Sequence, residues 1–236
     1  MVNVSKLPVF CILCLLIFAS SLYRQDFLAA AELLSGVVAT CFDGDTVKLT
    51  DRRVIRLAGI DSPELHNGNE EPQYYAREAQ KELTSLVRGK EIRMISVDEG
   101  EKDRYGRILA DVILPDGRSL NDIMVSAGAA YVYPHKNLNE KFVERLHKLQ
   151  HKAIIERRGM WAHILAIPAA YRAYVGNRQS RRFFPAESVF VQHIKPRNRV
   201  VFGTLMDAFT AGYAPARPCI FWPTVNAKPH RHNKER

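Results

Sequence analysis

Cysteine is scarce in this sequence, and no internal repeat is present. Only four cysteines occur in 236 residues, and Cys11 and Cys14 lie inside an N-terminal apolar run, so a small disulfide-held scaffold is excluded. Only Cys41 and Cys219 are left to form a bridge in an exported protein. With 47% hydrophobic residues the chain can bury one ordinary core, so we expect one principal domain with attachments.

Acidic residues are scarce in the C-terminal segment, residues 166–236. This segment holds 12 Lys and Arg against 3 Asp and Glu, whereas residues 1–165 hold 22 of each sign. The whole excess of +9 therefore lies in the last 71 residues. Such an imbalance suggests contact with a polyanion, either nucleic acid or an anionic membrane surface. A solvated basic tail is the alternative.

Charge is also missing from the N-terminal stretch PVFCILCLLIFASSLY, residues 8–23. Its 16 residues are long for the core of a signal peptide and short for a membrane span. Small residues at 19–21 and 29–31 offer cleavage sites. We therefore expect residues 1–31 to be a signal peptide, which gives an exported protein that is secreted or periplasmic. An uncleaved membrane anchor is the alternative.

Short β-like runs and helical patterns follow from Leu34 onwards. The predicted strands cover residues 34–42, 45–50, 52–60, 90–98 and 107–115. Apolar spacing predicts helices over 73–89, 119–128 and 139–158, the second beginning at a capping box of Ser119 and Asp122. This order predicts a mainly β fold with α (α+β), a five-stranded OB-fold barrel over residues 34–165 with about three helices packed on it. Residues 166–236 form a basic extension of unknown fold, in which RVVFGTLMDAF (199–209) fits a strand or a short helix.

Four acids fall near the ends of the first three predicted strands, namely Asp43, Asp45, Asp61 and Glu64. Antiparallel pairing brings the start of the second strand beside the end of the third, so we expect Asp45 and Asp61 to converge. Two close carboxylates repel unless a cation lies between them, and oxygen-only ligands favour a hard ion, Ca²⁺ before Mg²⁺. The alternative is that Asp43 and Gly44 form a tight turn and these acids are exposed turn residues.

Two arginines accompany the acids. Arg56 lies within an apolar strand, where a buried guanidinium needs a carboxylate partner or a bound anion, so a structural salt bridge is one interpretation. Arg107 enters the fifth predicted strand, and arginine can grip two phosphate oxygens while staying charged. Two arginines, a pair of metal-binding carboxylates and a further glutamate are the set needed for phosphodiester hydrolysis.

Three motifs occur in a fixed order on this strand pattern: DGDT (43–46), RLAGIDSPE (56–64) and DRYGR (103–107). Together they resemble the staphylococcal nuclease (thermonuclease) family. The resemblance covers residues 34–162 and includes the GMW sequence (159–161) that closes many such domains. It implies a Ca²⁺-dependent endonuclease that hydrolyses DNA and RNA with little sequence preference and leaves a 3′-phosphate.

The resemblance also implies a role for each matching residue. The Ca²⁺ ligands would be Asp45, Asp61 and the backbone carbonyl of Ser62. Glu64 would be the general base or the group that positions the attacking water. Arg56 and Arg107 would be the two catalytic cations that bind the phosphate. Asp43 would support the site from outside the metal ligands. The residues packing against the nucleotide would be Tyr105, Tyr131 and Tyr133, for which an ordinary half-buried place in the barrel is the alternative.

Two other functions fit the same sequence. One is a nucleic-acid-binding OB-fold module without catalysis, and the other is a membrane-tethered protein that captures DNA through the basic extension. Glu70 and Glu71 lie beside the expected cleft, where they would weaken the binding of long polyanions. No protein partner is indicated, and we expect a monomer.

Overall fold

The computed structural model describes residues 34–65, 71–97, 102–135, 137–217 and 222. The apolar run at residues 8–23 and Cys219 lie outside this described part. The signal peptide or anchor and the Cys41–Cys219 bridge therefore stay predictions. Cys41 itself is buried, and burial raises the pKa of its thiol. Among the residues described, no helix has both the length and the apolar character that a membrane crossing requires.

Within the described ranges, seven short strands precede the C-terminal extension: β1 (Ser35–Cys41), β2 (Thr46–Leu49), β3 (Val54–Leu57), β4 (Ile60–Asp61), β5 (Glu91–Ile95), β6 (Ile108–Ile113) and β7 (Tyr131–Val132). Five of them close into a barrel in the order β1-β2-β3-β6-β5. β3 and β6 run parallel, and the other neighbouring pairs in the barrel are antiparallel. β4 and β7 form a separate antiparallel ladder. The predicted five-stranded OB-fold barrel of the α+β class is confirmed.

In the part of the chain that the structure describes, four α-helices accompany the barrel: α1 (Ala76–Val87), α2 (Leu120–Ser126), α3 (Glu140–Ile155) and α4 (Trp161–Ile164). Half of the predicted capping box of α2 is present, because the Ser119 side chain accepts a hydrogen bond from the Asp122 N–H at 3.2 Å, while the Asp122 carboxylate accepts one from Arg145 Nε at 2.9 Å. Strands and helices share one buried core, to which Val47, Ile55 and Leu83 contribute. Each fully buried apolar side chain contributes about 1.5–3 kcal/mol, so the barrel and its helices stabilise one another.

One predicted strand is divided in the structure. The sequence predicts a single strand over 52–60, but β3 ends at Leu57 and the chain turns before β4. Gly59 has φ +72° in this turn, a left-handed conformation that side chains disfavour, and a Cβ there would lie 2.8 Å from the Phe142 ring. The turn takes Asp61 out of the barrel ladder and pairs it with Tyr131.

The C-terminal extension is folded as far as the structure describes it. It contains a sheet of order β10-β8-β9-β11, one α-helix and three short 3₁₀ helices. The strands are β8 (Tyr174–Asn177), β9 (Arg182–Pro185), β10 (Arg199–Phe202) and β11 (Ala214–Pro215), and the α-helix is α5 (Leu205–Thr210). The 3₁₀ helices are Pro168–Tyr171, Val189–His193 and Pro196–Asn198. The stretch 199–209 is therefore both a strand and a helix, and a capping box of Thr204 and Asp207 separates the two.

A second buried core joins the extension to the barrel. Phe209 of α5 is fully buried, and its ring centroid lies 4.8 Å from that of Trp161 and 5.8 Å from that of Tyr131. The Gln150 side chain of α3 donates a hydrogen bond to the Phe209 carbonyl at 3.2 Å. The same side chain accepts one from the Val132 N–H at 2.7 Å. The extension thus packs directly against the ladder that carries Asp61.

Candidate active site

Arg56 of β3 lies at the centre of a cluster of carboxylates. Its side chain is buried, with Nη1 2.6 Å from Asp45 Oδ2 and Nη2 donating a hydrogen bond to Asp61 Oδ1. Burial by itself would lower the pKa of Arg56, but Asp45 and Asp61 raise it above its ordinary value, so the guanidinium stays charged. Asp45 and Asp61 therefore converge as the strand pattern predicts, with a cation between them.

Asp45 is held in place by the turn that precedes β2. Its backbone N–H donates to Asp43 Oδ1 at 2.9 Å, and its Oδ2 accepts a hydrogen bond from the Ser62 N–H at 2.8 Å. Gly44 permits this approach, because a Cβ there would lie 2.6 Å from the Cβ of Ala79 and 2.8 Å from that of Ser62. The DGDT turn is thus locked against the segment that carries Asp61.

Asp61 is oriented by the short ladder between β4 and β7. Tyr131 lies opposite it, and the Tyr131 hydroxyl donates a hydrogen bond to Asp61 Oδ2 at 2.8 Å. Tyr131 is only 7% exposed, and its ring packs against Phe209 and Trp222 with centroids 5.8 and 5.4 Å away. The ring is therefore in the interior, and the hydroxyl is the part of Tyr131 that reaches the site.

Glu64 lies at the solvent-facing edge of the cluster. Its backbone N–H donates to Gln73 Oε1 and its carbonyl accepts from the Gln73 N–H, both at 2.9 Å, which fixes the loop before α1. Burial next to Asp61 and Asp45 raises the pKa of Glu64 to about 7. Burial and Asp45 likewise raise the pKa of Asp43 to about 8. Four carboxyl groups thus act on the Arg56 guanidinium, those of Asp45, Asp61, Asp43 and Glu64.

The DRYGR turn holds a second arginine. Arg107 Nε donates to Asp103 Oδ2 at 2.7 Å, while Asp103 Oδ1 accepts from the backbone N–H groups of Tyr105 and Arg107. Burial alone would raise the pKa of Asp103, but the hydrogen bonds from Arg107 lower it. The guanidinium carbons of Arg104 and Arg107 lie 4.8 and 5.3 Å from the centroid of the exposed Tyr105 ring.

A cavity of about 460 Å³ joins the two arginines. Its lining includes Arg56, Tyr105, Arg107, Tyr133 and Arg217. Positive and aromatic groups around one opening suit a nucleic-acid strand, whose phosphates bind cations and whose bases stack on aromatic rings.

The sequence-predicted residues are distributed over two adjoining places. The carboxylate cluster around Arg56 contains Asp43, Asp45, Asp61, Ser62 and Glu64. The cavity beside it receives Tyr105, Arg107 and Tyr133, whereas Tyr131 lies behind Asp61. The described ranges contain no group of three or more His, Cys, Asp or Glu side chains arranged to hold a metal. The oxygen-only donors of Asp45 and Asp61 nevertheless suit a hard cation.

Residues of the extension reach this site, although the sequence pattern predicts no fold for residues 166–236. The Arg182 guanidinium lies 3.4 Å from the centroid of the Tyr133 ring and donates to the Pro134 carbonyl at 3.0 Å. Arg217 lines the cavity. The basic composition of residues 166–236 indicates that this segment contacts an anion, but it does not predict that Arg182 and Arg217 lie at the site.

Comparison with known proteins places the chain in a family. Residues 54–163 match the model of the family described as staphylococcal nuclease homologue. A protein of Escherichia coli named as an uncharacterized endonuclease is 38% identical over 138 residues, which cover 57% of this chain and 82% of that protein. The SPbeta prophage-derived endonuclease YokF of Bacillus subtilis is 30% identical over 56% of this chain and 45% of its own length. The staphylococcal-like nuclease CAN1 of Arabidopsis thaliana is 34% identical over 59% of this chain and 38% of its own length. This chain therefore belongs to the staphylococcal nuclease homologue family.

Proposed function

We propose that the protein is a calcium-dependent endonuclease that hydrolyses phosphodiester bonds of DNA and RNA with little sequence preference and leaves a 3′-phosphate. The observation that supports it most is the position of Arg56, which contacts both Asp45 and Asp61 and also lines the cavity that holds Arg107. The relatives named as endonucleases support the same reaction class.

The proposed Ca²⁺ ligands are Asp45, Asp61 and the carbonyl of Ser62. When bound, Ca²⁺ supplies positive charge near the phosphoryl oxygens, where negative charge grows during hydrolysis. Asp43 supports this set by accepting the Asp45 N–H, and the Tyr131 hydroxyl fixes one oxygen of Asp61. Since Tyr131 is buried, we now assign it to orienting Asp61 instead of packing against the nucleotide.

The remaining roles follow from position and charge. Glu64 stands at the open edge of the cluster, from which it orients or deprotonates the attacking water. Arg56 and Arg107 hold the target phosphate and stabilise the charge of the transition state. Arg107 is pre-oriented for this by its ion pair with Asp103. Tyr105, which is 60% exposed, offers its ring to a base of the substrate.

We further propose that the protein is exported as a monomer, either released by cleavage of residues 1–31 or retained on a membrane through residues 8–23. The absence of charge from that apolar run supports both routes. Mass spectrometry of the mature N-terminus distinguishes the two routes. A released protein lacks residues 1–31, whereas a membrane-retained protein keeps residues 8–23.

The nuclease proposal is tested by digestion of supercoiled plasmid and of RNA in Ca²⁺, in Mg²⁺ and in a chelator. Cleavage of both substrates in Ca²⁺ and its loss in the chelator are expected. Binding of both nucleic acids without cleavage in any condition would instead identify a non-catalytic OB-fold module.

A further inference from the structure

The C-terminal sheet delivers Arg217 to the cavity at a fixed position. β11 pairs in parallel with β9, so that Ala214 lies opposite Arg182 and Pro215 opposite Phe183. The Ala216 N–H then donates to the Phe183 carbonyl at 3.0 Å, and Ala214 and Ala216 are buried. Because the backbone is anchored up to the residue before it, the approach of Arg217 to the cavity is set by the fold of the extension.

The surroundings of Arg217 combine residues of the extension and of the barrel. The Arg217 side chain contacts the hydroxyl of Tyr105 and lies near Asp61 and Tyr133. Tyr105 belongs to the DRYGR turn, so Arg217 at its hydroxyl and Arg107 over its ring approach the same side chain. A strand bound at Arg107 would therefore pass within reach of Arg217.

Three further arginines of this region have anionic or aromatic partners. Arg56 is paired with two carboxylates, and Arg107 is paired with Asp103. Arg182 covers the Tyr133 ring and donates to a backbone carbonyl. Arg217 is exposed at the cavity, where its side chain lies at the Tyr105 hydroxyl and near Asp61, so its guanidinium is placed to meet an incoming anion.

We propose that Arg217 binds a phosphate of the nucleic-acid strand adjacent to the phosphate that is cleaved, so that the C-terminal extension forms one wall of the substrate cleft. The identity of the ligand as nucleic acid rests on the proposed function. An added phosphate contact tightens binding without taking part in the chemistry, which makes Arg217 a substrate-binding residue and distinguishes it from Arg56 and Arg107.

The test is the salt dependence of binding to a fluorescent single-stranded oligonucleotide, measured by anisotropy in a chelator so that the strand stays intact. Arg217→Ala should weaken binding roughly five- to tenfold at low salt, as expected for one partly exposed charge-assisted contact. The slope of log affinity against log salt should become less steep by about 0.7, the value for one phosphate contact on a single strand. Arg217→Lys keeps the charge and should keep the slope.

Arg178 provides the matched control, because it is exposed in the turn that follows β8 and is not among the residues that line the cavity. Arg178→Ala removes the same charge and should leave the slope unchanged. An unchanged slope in Arg217→Ala, or an equal loss in Arg178→Ala, would overturn the proposal.

The two proposals fail separately. In Ca²⁺, Arg217→Ala should raise the KM for the oligonucleotide and leave kcat near the wild-type value. A wild-type protein that does not cleave, combined with the slope change in Arg217→Ala, would overturn the nuclease proposal and leave the phosphate contact standing. Cleavage by the wild-type protein, combined with an unchanged salt slope and KM in Arg217→Ala, would support the nuclease proposal and overturn the phosphate contact of Arg217.

Discussion

Replacing Phe209 by alanine tests whether the extension and the barrel unfold together. Phe209 is fully buried, and its ring makes edge-on contacts with Trp161 at 4.8 Å and with Phe183 at 5.3 Å. Removing a buried phenylalanine side chain typically costs about 3–5 kcal/mol, because apolar contacts are lost and a cavity is left. For a folded unit of this size each kcal/mol lowers Tm by about 2–4 °C, so we expect a drop of roughly 6–20 °C.

Thermal unfolding followed by tryptophan fluorescence and by far-UV circular dichroism measures this effect. Trp161 contacts Phe209 directly, so the fluorescence reports on the shared core while circular dichroism reports on the whole fold. The matched control is Phe190→Ala, in the same extension, because Phe190 is 42% exposed and its loss should cost little. In Phe209→Ala, the fluorescence and the circular dichroism should show the same single unfolding transition, at a Tm below that of the wild type.

Two results would refute this reasoning. One is a Tm for Phe209→Ala that equals that of Phe190→Ala. The other is a first transition in which the extension alone melts while the circular dichroism of the barrel persists at the wild-type Tm. Either result would mean that the second core does not couple the extension to the barrel.

Three further variants test the site itself. Glu64→Gln should lower turnover by roughly a hundredfold or more through loss of a positioned base, and unchanged turnover would remove Glu64 from the mechanism. Gly44→Ala should lower the cleavage rate by roughly ten- to hundredfold, because the added Cβ would lie 2.6 Å from the Cβ of Ala79 and displace Asp45. The control variant Gly203→Ala should be fully active, because a Cβ at position 203 meets only an ordinary contact at 3.4 Å. Equal rates in these two glycine variants would show that the approach at Gly44 is unimportant. Tyr131→Phe removes a hydrogen bond to a carboxylate worth about 1.5–3 kcal/mol, so we expect a higher Ca²⁺ requirement for cleavage than in the surface variant Tyr171→Phe. The same Ca²⁺ requirement in both tyrosine variants would argue against an orienting role for the hydroxyl.

Much of the barrel and of the carboxylate cluster is predictable because both depend on patterns that are local in the chain. Period-two alternation predicts the pairing of β2 with β3, which places Arg56 beside the start of β2, and the turn after Leu57 then brings Asp61 to the same guanidinium that Asp45 contacts. The break after Leu57 is less apparent, because a glycine in an apolar strand is also compatible with an unbroken ladder. The break depends on the packing of Phe142 against Gly59, and no local sequence pattern predicts this contact.

The contribution of the extension was not predictable, because it depends on contacts between residues far apart in the chain. Arg217 reaches the cavity through the parallel pairing of β11 with β9, and the Tyr131 ring is covered by Phe209 of α5 and by Trp222. A local signal was available for α5 itself, since Thr204 followed three residues later by Asp207 is a capping pattern. Without this capping pattern, a short apolar run such as 199–209 is compatible with either a strand or a helix.

The most direct test of the central claim is the plasmid-cleavage rate as a function of Ca²⁺ concentration for wild type, Asp61→Asn and Asp116→Asn. Asp61 contacts Arg56 in the cluster, whereas Asp116 pairs with Arg118 on the surface, so the two variants remove the same charge in different places. We expect saturable, chelator-sensitive cleavage in wild type and Asp116→Asn, and a loss of at least about tenfold in Asp61→Asn. Cleavage by Asp61→Asn at the wild-type rate and Ca²⁺ dependence would contradict the assignment of this cluster as the calcium-dependent active site.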